Sequence, residues 1–332
     1  MLLRCRCVSR VIPNGSRGKR MRHKVEPFGP KYSFLLIFHH PIMSTHPIHN
    51  GGYDLANYPN TETLIAEHRA NIDPEARKLV AISHPHLHQA RQAHNDRRYS
   101  QEKPATFASL VDALPAEVLD QREQALLLNT DASTLLEKLR TGEISAERIV
   151  QAALARTQIA QEVLGCCSEI PATLALQRAR ELDAKRLRNE PLGALHGLPI
   201  SIKGHIPLVG TTSCRGFVVD CLSPASVAAL PRTDVATEAL LEKVGVYVPN
   251  ETAPLAQALL NAGAVVIGKT TMPQTIMHLD TRNNLYGQTL NPCNLALSPG
   301  GSSGGESALI ASGASLLGVG TDIGVCCCVL LE

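Results

Sequence analysis

Residues Pro299–Gly324 read PGGSSGGESALIASGASLLGVGTDIG. The stretch joins two patterns that rarely meet. Gly300–Gly305 (GGSSGG) has the composition of a flexible linker, yet it runs straight into the apolar helical pattern ESALIASGASLL. A free linker does not lead into a buried helix, so the run reads as a fixed glycine-serine loop at a helix start. Such a loop offers hydroxyls and lets backbone N–H groups converge on an anion. A second glycine-rich turn, Gly320–Gly324 (GTDIG), closes the stretch.

Working outward, the upstream partner is Gly197–Lys203 (GLPISIK). Leu198–Ile202 is a short apolar run bounded by Gly197 and Lys203, which predicts a buried strand. A lysine at the end of such a strand is unusual. Desolvation would lower its pKa and leave a useful fraction as neutral amine, a base. Taken singly, a strand-end lysine is more often exposed and a GGSSGG run more often a linker. It is the conjunction of these pieces with GTDIG that points to chemistry.

The rest of the chain from about residue 130 frames them. Asp131 can cap a helix through Leu135, Leu136 and Leu139, with Gly142 closing it. Ser145 can cap the next helix, whose Ile149, Val150, Ala153 and Leu154 fall at helical spacing. Pro171 opens a third, with Leu174, Ala175 and Leu182 among charged residues. The segment APLAQALLNAG reads as a helix ending at Gly263, and Ala264–Ile267 (AVVI) as a second buried strand. Helices alternating with short buried strands imply an α/β architecture.

One motif in this region misleads. Gly263–Thr270 (GAVVIGKT) matches the phosphate-loop pattern G-x-x-x-x-G-K-[ST]. That loop needs a strand before it, a flexible turn within it and a helix after it. Here a helix precedes, the interior AVVI is strand material, and Pro273 follows soon after. Nucleotide binding is therefore not expected.

Composition bounds the remaining classes. The chain has 332 residues, is 44% hydrophobic and only 3% aromatic, and lacks Trp, so its core rests on aliphatic residues. A net charge of +2 does not suggest nucleic acid. Residues 1–43 read as a basic leader, disordered or outside the true start, with Met43 as an alternative first residue. Its Arg4, Arg6, Arg10, Arg17, Lys19, Arg20, Arg22 and Lys24 precede any acid, as in a mitochondrial transit peptide. The apolar residues there lack helical periodicity, which argues for a cytoplasmic protein. Ser33–Phe38 (SFLLIF) is too short to span a bilayer. Residues 44–125 form a polar, partly helical region, with Pro74 at one helix start. There His84, His86 and His88 resemble a metal patch but read better as an exposed loop, since no carboxylate or Cys accompanies them. The ten cysteines form no CxxC pair and read as reduced thiols.

The three pieces, together with HGLPISIK, KTTMPQT from Lys269 and NLYGQTLNP from Asn284, resemble the amidase signature family, most closely its fungal acetamidase-like members. The resemblance covers roughly residues 126–324. It implies an α/β fold with a mixed sheet flanked by helices, and hydrolysis of carbon–nitrogen bonds in a small-molecule amide. By the same resemblance Lys203 is the base and Ser302, preceded by a cis peptide bond, the proton relay. Backbone N–H groups around Ile323, Gly324 and Val325 would hold the oxyanion, each donor contributing about 3 kcal/mol to the transition state. Ile276 would line the acyl pocket, or serve as a plain core residue. No cofactor, metal, nucleic acid or membrane is implied; a homo-oligomer is left open.

The match departs at its end. The family continues T-D-I-G-G-S, and that Ser is the nucleophile. Here Val325 stands at the second Gly and Cys326 at the Ser. Either Cys326 is a substituted nucleophile, or residues 325–332 are a non-native tail. The second reading is favoured: Val325 is costly where glycine is needed, and a Val-Cys pair can be spelled GTATGT, an intron donor. The expected polypeptide is then an incomplete and inactive amidase of poor solubility, or a non-catalytic scaffold derived from one. Two smaller departures are Gly204, where many members carry Asp, and the long stretch Val219–Glu251 between the Lys and Ser motifs.

Overall fold

The computed structural model describes residues 33–38, 105–112, 114, 119–217, 220 and 247–322. The capping signals set the helical layer. Following α1 (Phe107–Asp112) and α2 (Gln121–Leu128), α3 (Ala132–Thr141) starts where the Asp131 carboxylate accepts the Thr134 N–H at 3.0 Å. It stops at Gly142, which takes the left-handed conformation with φ 79°. The next helix, α4 (Ala146–Leu164), begins at Ser145, whose hydroxyl accepts the Arg148 N–H at 3.2 Å. Its Ile149, Val150, Ala153 and Leu154 are fully buried, as their spacing requires. Helix α5 (Ala172–Leu187) follows Pro171 and buries Ala175 and Leu182, while Leu174 stays half exposed.

Among the described residues, the main sheet runs β1 (Ser33–Phe38), β7 (Leu317–Asp322), β3 (Pro199–Lys203), β4 (Val265–Thr270) and β2 (Cys167–Glu169) across its width. The first four run parallel and β2 is antiparallel to β4. This is the mixed sheet of an α/β fold. Both β3 and β4 are buried at every position; β4 opens with the continuous apolar run Val265–Ile267, whereas β3 sets Ile200 and Ile202 on one face and Ser201 and Lys203 on the other. Helix α6 (Pro254–Asn261) precedes β4, and Gly263 turns the chain between them with φ 93°. A small hairpin of β5 (Arg282–Asn283) and β6 (Gly287–Gln288) leads to α7 (Gly304–Ala311), which packs over β3 and β7.

At the level of the fold one expectation changes and another holds. Ser33–Phe38 lies in the segment read as a disordered leader, but it is an edge strand paired in parallel with β7, from Ser33 opposite Leu317 to Phe38 opposite Asp322. A run of bulky apolar residues suits a parallel strand as well as it suits a failed membrane span. The phosphate-loop pattern GAVVIGKT, in turn, is mostly strand β4, with Lys269 fully buried. The Pro74 helix, the histidine stretch 84–88, most of Val219–Glu251 and residues 323–332 lie outside the described residues.

The pairing of β3 with β4 contains one irregularity that matters for the site. Ile200 pairs with Val266, but Ser201 pairs with Gly268, so β4 has one extra residue, Ile267, at this point. As a result Lys203 pairs with Thr270 and Ile202 with Lys269. Side chains alternate between faces along a strand, so Lys203 and Lys269 emerge on opposite faces. Had the pairing run on from Ile200 and Val266 with no shift of register, Lys203 would face Lys269 on one side of the sheet, an arrangement that buried like charges disfavour.

Candidate active site

Three segments meet at the C-terminal end of β3. Lys203 is the strand's last residue and is fully buried. Its ammonium nitrogen Nζ lies 2.7 Å from Ser302 Oγ, 3.1 Å from Thr321 Oγ1 and 3.3 Å from the Thr321 carbonyl oxygen. Ser302 is 2% exposed and its peptide bond to Gly301 is cis. Thr321 belongs to β7, the strand paired with β3, so Gly320–Asp322 comes beside GLPISIK. The conjunction of three motifs on the sequence thus becomes contact in space.

The glycine-serine loop is fixed by a set of short bonds. Thr281 Oγ1 donates to the Gly300 carbonyl at 2.7 Å and accepts the Gly304 N–H at 3.0 Å, so one hydroxyl holds both ends of the loop. Ser298 Oγ donates to the Asp280 carboxylate and accepts the Gly300 N–H. Ser303 Oγ donates to the Thr321 carbonyl at 3.0 Å and receives the Thr321 N–H at 3.3 Å. Loop and β7 are therefore tied together directly beside Lys203. A loop held this way presents Ser302 Oγ in one place, which is the requirement for a proton relay.

The helix that follows contributes a buried acid. Glu306 lies in the first turn of α7 and is fully buried. Its carboxylate accepts from Ser201 Oγ and, at 2.6 Å, from Thr270 Oγ1. Burial pushes the carboxyl up to about 7, against the opposing pull of these two hydroxyls and of Lys203.

The expected residues fare differently. Lys203 and Ser302 are brought together. Ile276 sits in the 3-10 turn Gln274–Ile276, partly buried, with φ 63°, and Thr275 before it has φ 67°. Left-handed backbone at a β-branched residue is strained by about 1–3 kcal/mol, and the turn runs into His278–Asp280, against which Gly301 packs. Ile323, Gly324, Val325 and Cys326 lie outside the described residues; β7 ends at Asp322, immediately before them. Thr321, Thr281 and Glu306 were not singled out from the sequence. Thr321 sat inside a quoted motif, and Glu306 could have been found as the only acid in an otherwise small and apolar helix start. The Gly204 departure also gains a reason. A Cβ at Gly204 would lie 2.6 Å from Ser168 Oγ and 2.8 Å from the Thr270 carbonyl, so this chain has no room there for an aspartate.

Lys269, the lysine of the phosphate-loop pattern, is held by the protein itself. Its Nζ donates to the Thr212 carbonyl at 2.6 Å, the Ile206 carbonyl at 2.9 Å and Thr211 Oγ1 at 3.3 Å. Among the described residues no cluster of His, Cys, Asp and Glu could hold a metal ion, and no helix is long and apolar enough to cross a membrane. Cys166, Cys167 and Cys214 are buried thiols that form no disulfide.

Comparison with known proteins follows the same residues. The family description Amidase matches residues 148–229 and 233–325, more than half of the chain. Only 230–232 interrupt that match within the long stretch between the Lys and Ser motifs. Acetamidase of Aspergillus oryzae is 34% identical over 240 residues, 69% of this chain and 40% of that protein. Acetamidase of Emericella nidulans is 36% identical over 225 residues, 64% of this chain and 37% of that protein. The chain thus spans about two-fifths of the length of the curated relatives it matches. Among solved structures, a fatty acid amide hydrolase is similar with a TM-score of 0.53 and 29% identity, over 79% of this chain and 44% of that one.

Proposed function

The chain belongs to the amidase family, and from that premise we propose that its site serves the hydrolysis of a carbon–nitrogen bond in a small-molecule amide. The observation that carries the reading is a buried amine, Lys203 Nζ, 2.7 Å from the hydroxyl of Ser302. Burial favours the neutral form of an amine. Neutral Lys203 accepts the Ser302 proton while Ser302 Oγ takes the proton of the attacking group. That group adds to the amide carbonyl, and the C–N bond breaks as the relayed proton goes to the leaving nitrogen. Water then releases the acyl group as a carboxylic acid and restores the attacking group.

In this chain the position of the attacking group falls on Cys326, and the N–H groups of Ile323, Gly324 and Val325 would face the developing oxyanion. Ile276, whose strained turn leads to the relay loop, would face the acyl part of the substrate. With Val325 and Cys326 in place of Gly and Ser, the 332-residue chain is expected to be inert towards simple amides.

Turnover of an acyl anilide, followed by release of the aniline, tests this. Extending the chain past Gly324 with the continuation of the Aspergillus oryzae acetamidase should give turnover that Lys203→Met abolishes. Hydrolysis by the unaltered chain that survives Lys203→Met, or no turnover by either form, would overturn the proposal.

A further inference from the structure

Glu306 is a buried titratable group beside the site that the reaction above does not use. Its seat is shaped for it. On three adjacent strands, Gly318 of β7, Ser201 of β3 and Gly268 of β4 lie side by side. A Cβ at Gly318 would come 2.2 Å from Glu306 Oε1, and one at Gly268 would come 3.1 Å from Leu309 of the same helix. The two glycines leave a trough over the sheet, with Ser201 at its floor as a hydrogen-bond donor. One rung further along the same face are Lys203 and Thr270, paired across β3 and β4. Glu306 reaches this rung too, through Thr270 Oγ1 at 2.6 Å. Its carboxyl is thus bonded to both rungs of the strand pair that ends in Lys203, while its own helix begins at the loop that carries Ser302.

We propose that Glu306 is a positioning residue for the Lys203–Ser302 pair: its carboxyl locks the first turn of α7 onto β3 and β4, and its charge sets how readily Lys203 gives up a proton. The inference rests on Lys203 being the base of the proposed reaction. The groups that face the carboxyl are Ser201 and Lys203 from β3, Thr270 from β4, the Val319 N–H from β7 and the Cys167 thiol from β2. Burial holds the carboxyl up at about 7. Near neutral pH it therefore passes between a neutral acid, which leaves Lys203 free to be an amine, and a carboxylate, which favours the ammonium form. A helix-start glutamate with a purely structural role would hold α7 in place without any such link.

The ε-methylene signals of the full chain labelled with 13C-lysine, titrated from acid to alkaline pH, separate these roles without requiring turnover. Lys203→Met identifies the Lys203 signal. In the unaltered chain that signal should show a small step near pH 7 ahead of its main transition. In Glu306→Gln, which keeps the shape and hydrogen-bonding capacity, the small step should vanish and the main midpoint should fall by about one pH unit, with the Lys269 signal unmoved. Thr270→Val offers a second route if Glu306→Gln does not fold. Removing one hydroxyl from the carboxylate should shift the small step to higher pH. A Lys203 curve that overlays the parent curve in a folded Glu306→Gln, or in Thr270→Val, would sink the proposal. A chain that proves inert towards amides leaves this measurement intact, so the two failures remain distinct.

Discussion

Lys203 ends β3, Lys269 is the last residue but one of the adjacent β4, and both are fully buried. Their partners differ in kind. Lys203 Nζ meets two hydroxyls, Ser302 Oγ and Thr321 Oγ1, along with one carbonyl. Lys269 Nζ meets two carbonyls, those of Ile206 and Thr212, and one hydroxyl at longer range. A hydroxyl can receive and return a proton, whereas a peptide carbonyl only accepts a hydrogen bond. The peptide of Thr212 is gripped from both ends, since Glu169 accepts its N–H at 2.7 Å while Lys269 donates to its carbonyl. Lys269 and Glu169 therefore clamp the loop that follows Lys203. The lesson is that burial alone does not tell the two lysines apart; the chemistry of what each touches does.

The sharpest way to break the comparison is to remove each amine in turn. In a hydrolytically competent form, the chain extended past Gly324, Lys203→Met should lower turnover by about 10²–10⁴-fold, the usual scale of general acid–base catalysis. Its urea midpoint should stay close to the parent value, because the hydroxyls of Ser302 and Thr321 can turn to other partners. Equal loss of stability in Lys203→Met would make it a second structural clamp.

Lys269→Met should show the reverse balance. It strands two buried carbonyls and leaves the Glu169 carboxylate without its facing charge. The expected loss is about 3 kcal/mol, in line with breaking a buried charged interaction. Urea unfolding with an unchanged slope would measure it. Added methylammonium, a free stand-in for the lost amine, should recover part of the midpoint. A stable Lys269→Met protein would remove the contrast between the lysines.

The contrast explains how far the sequence could be read. The helices followed from local causes, namely Asp131 and Ser145 as caps, Gly142 as a stop and the spacing of Ile149, Val150, Ala153 and Leu154. Lys203 and Ser302 were legible because their motifs are distinctive in combination. The role of Lys269 was not, since its carbonyl partners are backbone atoms of a loop some 60 residues away in the chain. The register irregularity at Ile267 was equally hidden, because apolar residues fill both faces of a buried parallel strand and erase the alternation that would reveal it. Glu306 escaped for a related reason: the side chains that bond its carboxyl, Ser201 and Thr270, lie on strands far from it in sequence. The strand at Ser33–Phe38 was missed because only its length as a membrane span was weighed.

The pH dependence of stability sharpens the comparison further. Burial lowers Lys269 from 10.5 to about 8 in the folded chain. Between those values the unfolded state binds more protons, so stability should rise with pH from about 8 to 10.5. Glu306 behaves oppositely. Its carboxyl is raised from 4.5 to about 7, the folded state holds the extra proton, and stability should fall as pH rises through that window. Urea midpoints measured against pH should lose the alkaline rise in Lys269→Met and the acid-side fall in Glu306→Gln. Slopes retained in both variants would assign the titrations to other groups.

The smallest effect concerns the residue that separates the two lysines' territories. Gly204 follows Lys203, and its N–H donates to the Thr270 carbonyl at 2.8 Å. A side chain there meets that same carbonyl and the Ser168 hydroxyl, which itself donates to the Lys269 carbonyl. Gly204→Ala should therefore cost about 1–3 kcal/mol through overpacking, less than loss of the clamp where the strands can move apart. Because the crowding lies between β3 and β4, the displacement should reach both amines. The Lys203 and Lys269 ε-methylene signals should shift together in this variant, whereas Lys269→Met leaves the titration of Lys203 in place. Movement of the Lys203 signal alone would mean that the sheet yields only on the Lys203 side, and that the clamp is the stiffer of the two regions.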